Sequence, residues 1–194
     1  MIENALAKRS ASLKLRLTVK SLIALGTVAL AVLLPQFAHM VYGAAAGVTF
    51  LPMYLPVLLG GCLLGSGWGL AIGALSPVVS FLITSAAGSP MPALARLPFM
   101  MAELAVFAAV VGLFSRAIER HAWMAFPAVI AAEVCGRAFF LLSVALLQSV
   151  TPFTPAMIWG QIRTGVVGLI LNAVVVPAAV IILKHFLDRD MDND

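Results

Sequence analysis

Glu103, Glu133, Arg137 and Arg163 stand inside runs that are otherwise apolar. A charge held at the middle of a bilayer costs about 2.5–3.5 kcal/mol on insertion scales, so each should face a protein interior and find a partner there. Glu133 and Arg137 lie one helical turn apart, on one face, and can pair within their own helix. The alternative is that Arg137 also reaches a ligand. Arg163 has no acid three or four residues away, and Trp159 precedes it by one turn. A guanidinium beside an aromatic ring can clamp a carboxylate bidentately while the ring packs on the ligand. Glu103, expected at similar depth on another helix, competes as a purely structural partner for Arg163. Tyr54 and Asn172 are further polar contacts for a substrate, though a helix–helix hydrogen bond is an equal use for each.

These residues are embedded in a chain of 194 residues that is 62% hydrophobic and 10% charged. Its mean hydropathy is +1.08. Soluble domains of this size carry about 25% charged residues, so the chain reads as an all-α integral membrane protein. The net charge of +4 does not point to nucleic acid, because the basic residues gather at the edges of the apolar runs. Cys62 and Cys135 both fall inside such runs and read as small packing residues rather than a disulfide or a metal site. No H-E-x-x-H, G-x-S-x-G, paired-Asp or Walker pattern occurs, so no catalytic residue is expected and no nucleotide is hydrolysed by this chain.

The length suits six spans of roughly 20 residues each. The stretch from Thr49 to Glu103, uncharged before Arg96 and punctuated by prolines, is the core around which the others close. Spans are expected over Ser21 to Ala38 (broken near Pro35), Leu51 to Leu64, Trp68 to Ala86, Leu97 to Ser115, Trp123 to Leu147 and Ala156 to Lys184. Residues 1–20 form a basic arm, too long for the charged region of a signal peptide, 21–184 the membrane domain, and 185–194 a short acidic tail. Lys8, Arg9, Lys14, Arg16, Lys20, Arg116, Arg120, Lys184 and Arg189 fall on one side of this arrangement, and the opposite loops hold only Arg96. The positive-inside rule then puts both termini in the cytoplasm, with the protein in the cell membrane. The outer loops, His39 to Phe50, Ala87 to Arg96 and Ser149 to Pro155, are short and suit a lid over a pocket. Gly61, Gly65, Gly69 and Gly73 read as a helix-packing ladder, and no internal repeat of the transporter kind is found.

PQFAH (Pro35 to His39), LPMYLPVLLGGCLLGSGWGL (Leu51 to Leu70), LSPVVSFL (Leu75 to Leu82) and PFMMAELAVF (Pro98 to Phe107) together resemble the substrate-binding S components of energy-coupling factor vitamin transporters. The likeness spans about residues 20–184. It is greatest to a branch with P-x-x-F-H followed by L-P-M-H-I-P-V-L-L, often assigned to pantothenate. Tyr54 replaces the second histidine of that pattern, and GSPM (Gly88 to Met91) stands where GMPP is expected; both departures touch the ligand. The resemblance implies high-affinity capture of a vitamin from outside and delivery by toppling in the membrane. The implied partners are a transmembrane coupling protein and two cassette ATPases, which use the ATP; this chain needs no cofactor. His39 matches the family motif, which implies a pocket or lid role. The smooth stripe Ala24, Thr27 and Ala31 is the implied docking face for the coupling protein, with intramolecular packing as its ordinary alternative. A self-sufficient secondary transporter or small-solute channel is the competing function.

Overall fold

The computed structural model describes residues 13–43, 45–149 and 151–192. All of its regular structure is helical: α1 Leu13–Tyr42, α2 Ala46–Phe50, α3 Tyr54–Leu64, α4 Ser66–Ala86, α5 Leu97–Leu113, α6 Ser115–Arg120, α7 Ala125–Leu147, α8 Pro155–Thr164 and α9 Val166–Asp192. Short 3-10 turns precede α5 (Leu94–Arg96) and α7 (Ala122–Met124). Six helical stretches are long and apolar enough to cross a membrane, α2 and α3 together making the second. The chain is a multi-pass membrane protein.

The centre of the bundle is α3. Val57, Leu58 and Cys62 are wholly buried, and α1, α4, α5 and α9 all pack against this helix. The α3–α4 turn is a single residue, Gly65, at φ 85°. A side chain at that angle would be strained, which is why a glycine carries the reversal. Beyond it α4 lies against α5 almost backbone to backbone. A Cβ on Gly69 would meet the Ala108 carbonyl at 2.7 Å, and one on Gly73 would collide with the Leu104 carbonyl. Small residues permit this approach, and dispersion between the closely spaced backbones holds it. Most of the bundle's outer surface stays apolar, with Leu22, Leu33, Leu113, Val134 and Leu146 exposed to the surroundings as lipid-facing side chains are.

Two expected spans differ. The first does not break at Pro35 but runs on to Tyr42, so much of the anticipated loop from His39 to Phe50 is helix. Proline removes one backbone hydrogen bond, and in a membrane helix neighbouring elements compensate for it. The sixth is not one helix from Ala156. It divides at Gly165, where a Cβ would meet Leu51 Cδ1 and the Val48 carbonyl, each at 3.2 Å. Three residues on, Gly168 lies against the backbone of Phe50. The segment 48–51 thus occupies the space a straight helix would need. Thr154 caps the separate α8 by accepting from the Met157 N–H at 3.3 Å.

At the end of the bundle where α1 begins and α9 ends, Lys184 Nζ donates to the Glu119 and Arg120 carbonyls at 2.7 and 3.2 Å. The ammonium satisfies the open carbonyls at the end of α6 and ties the last span to the α6–α7 connection.

Candidate functional site

A cavity of ≈ 270 Å³ opens at the opposite end of the bundle. The C-terminal half of α1 supplies Pro35, Gln36 and His39; the α2–α3 segment supplies Gly47, Val48, Leu51, Pro52, Met53 and Tyr54. Ser80 comes from α4, Met91, Pro92, Ala93 and Arg96 come from the connection into α5, and Met100 from α5 itself. Each wall has an identifiable local cause. Leu51 takes a left-handed backbone conformation, φ 49° and ψ 48°, which separates α2 from α3. For a residue with a Cβ this costs about 1–2 kcal/mol. Irregular backbone at this depth is tolerated where it lines a cavity, and here it does. The 87–96 connection is pinned to α4 through Met91, whose N–H donates to Thr84 Oγ1 at 2.8 Å and whose carbonyl accepts from Ser80 Oγ at 3.0 Å.

Behind the cavity lies a buried polar cluster. Tyr54, which lines the cavity, donates its hydroxyl to Glu103 Oε2 at 2.8 Å. Arg137 Nη1 donates to the other oxygen of the same carboxylate, also at 2.8 Å, with side-chain exposures of 7% for Arg137 and 1% for Glu103. The Arg137 guanidinium carbon sits 5.0 Å from the Tyr54 ring centroid and 5.9 Å from that of Phe107, within cation–π range. Phe107 meets Tyr54 edge-on at 5.0 Å. Gly136, one residue before Arg137, makes room for the Phe107 ring, which a Cβ there would strike. Glu103 is thus paired from two other helices, and the tyrosine carries the cluster to the cavity wall.

This pairing corrects two expectations. Arg137 does not bond Glu133 within α7: it reaches across to α5, and Glu133 Oε1 is left buried without a hydrogen-bond partner. Nor does Arg163 bridge to Glu103, whose two oxygens are taken by Tyr54 and Arg137. Arg163 belongs to α8 rather than to the depth of the last span, because the chain breaks at Gly165. There it is exposed, stacked 5.7 Å from the ring of Trp159, itself 51% exposed. The expected Arg–Trp adjacency is present, but neither residue lines the cavity.

Of the remaining candidates, His39 lines the cavity with its Nε2 packed against Gly47, and Asn172 is fully buried on α9 away from it. Both amide atoms of Asn172 lack a hydrogen-bond partner among the described residues. Thr27 and Ala31 of the small-residue stripe are buried, and Ala24 packs on the same core. Thr27 Cγ2 lies 2.9 Å from where a Cβ on Gly60 would stand, so the stripe packs α1 on α3. Sequence reasoning missed Gln36 and Arg96. Gln36 lay in plain view inside PQFAH, and Arg96 was the lone charge of the outer loops. Comparison with family models, with curated proteins and with solved structures yields no significant match.

Proposed function

We propose that this chain is the solute-binding membrane subunit of an importer of the energy-coupling factor kind, an S component. It takes a vitamin or similar small molecule into the cavity and delivers it through a separate coupling protein and two cassette ATPases. The observation that carries this reading is the position of the cavity. It lies at the end opposite the contact of Lys184 with the end of α6 and is walled by the segment joining α1 to α3 and by the 87–96 connection, with Tyr54 and His39 among its lining. Under the positive-inside rule that end faces out. The small, part-apolar cavity suits capture of a single compact solute rather than a continuous water path. The absence of a nucleotide-binding motif from the sequence supports energisation by other chains.

Glu133 favours a second reading, a proton-coupled secondary transporter, since its buried carboxylate has an oxygen with no partner. Reconstitution separates the two. Purified protein alone in proteoliposomes should bind solute without accumulating it, with or without an imposed pH gradient, and native mass spectrometry should show the solute bound. Uphill uptake by this chain alone would move the assignment to the secondary transporter.

A further inference from the structure

The cavity lining holds side-chain donors that nothing among the described residues engages. The Tyr54 hydroxyl proton is committed to Glu103, the Ser80 proton to the Met91 carbonyl, and that carbonyl is also within reach of Thr84 Oγ1 at 3.1 Å. Besides the His39 imidazole, two nitrogen-bearing side chains remain. Gln36 Nε2 is buried in the cavity wall with no hydrogen-bond partner. Arg96, half-buried at the end of its 3-10 turn, has no acidic partner within ion-pair distance among the described residues. It is the only residue with a full formal charge in the lining, which is otherwise mostly Pro, Met, Leu and Val. A guanidinium without an acid and a buried amide N–H without an acceptor, both on residues that line a mostly apolar cavity, call for an occupant that brings acceptor oxygens and negative charge.

We propose that the cavity takes a compact monocarboxylate, its carboxylate held by Arg96 and Gln36 and its apolar body lying against Leu51, Met53 and Met100. The assignment rests on the reading of this cavity as the solute site. One cation balances one negative charge, and the planar fork of Arg matches a carboxylate in two parallel hydrogen bonds. Size sets the body. A cavity of about 150 Å³ accommodates benzene, and this one measures ≈ 270 Å³. The site therefore has room for a short branched or single-ring acid. A phosphate dianion would leave one negative charge uncompensated by the lining.

The test uses detergent-purified full-length protein and a panel of four- to ten-carbon carboxylic acids, each with its primary amide and methyl ester. Thermal shift and native mass spectrometry are the readouts. Acids should bind and their amides and esters should bind at least tenfold more weakly. Arg96→Gln should lose at least tenfold in affinity for the acids, Arg96→Lys less, and Gln36→Leu a few-fold, in proteins that still unfold cooperatively. Arg163→Ala should bind as the wild type does. Equal binding of acids and amides, or undiminished binding by a folded Arg96→Gln protein, overturns the carboxylate assignment while leaving a solute site. A phospholipid as the bound adduct in both wild type and Arg96→Gln overturns it in favour of lipid. If no acid, amide or ester binds and no solute co-purifies, the solute-site reading itself falls.

Discussion

Tyr54 and Glu103, 49 residues apart in sequence, share a 2.8 Å hydrogen bond that joins the cavity wall to the charged centre of the bundle. Tyr54 is part of the cavity lining and its hydroxyl donates to the carboxylate, so one residue belongs to both. Tyr54→Phe keeps the ring and removes the donor. It should destabilise the protein by about 1.5–3 kcal/mol, the range for hydrogen bonds to charged groups, read as a lower midpoint of thermal unfolding in detergent. An unchanged midpoint would mean that water replaces the hydroxyl at no cost.

Glu103 and Arg137 should behave as a unit. Glu103→Gln or Arg137→Met leaves its partner charged and buried, a loss of about 3–5 kcal/mol. The double variant removes both charges and should recover much of that loss, a positive coupling in the mutant cycle. Additive losses would show that the two side chains stabilise the bundle independently.

Much of the fold was legible. The six apolar runs and the central place of the stretch from Thr49 to Glu103 follow from composition and spacing, whereas Gly65, read as part of a packing ladder, proves to be the α3–α4 reversal. What stayed hidden was set by contacts between distant segments. Arg137 had an acid one turn away on its own helix, and nothing local says that it prefers Glu103 from α5. The preference follows from tertiary placement: Tyr54 and Phe107 form a ring-lined slot that receives the guanidinium. Arg163 was placed too deep because the break at Gly165 depends on the 48–51 backbone occupying that space. His39 and Tyr54 were found because motif positions at helix ends point to a pocket; Gln36 and Arg96 needed the cavity to be seen.

The α4–α5 seam gives a contrast between two glycines. Gly73→Ala forces a methyl group onto the Leu104 backbone and should cost about 1–3 kcal/mol, as overpacking does. Gly26, inside α1 with nothing within 4 Å, has room. Gly26→Ala should stabilise by about 0.5–1 kcal/mol through helix propensity. Thermal unfolding of the two variants should move in opposite directions; the same sign for both would refute the packing account.

Orientation is testable from the charge asymmetry. With Cys62 and Cys135 first replaced by alanine, a cysteine at Ser89 should react with a membrane-impermeant thiol reagent in intact cells. One at His121 should react only after the cells are opened. The reverse pattern would invert the topology and place the cavity inside.

The seam between α4 and α5 also separates what holds the bundle together from what lines the cavity. Its contacts are backbone against backbone, made possible by Gly69, Gly73 and Gly112 and indifferent to any ligand. The cavity, by contrast, is coloured by Gln36, His39 and Arg96, side chains outside that seam. Packing and cavity chemistry are therefore separable: the three polar positions can be exchanged while the glycines stay fixed, which alters what the cavity presents without rebuilding the bundle.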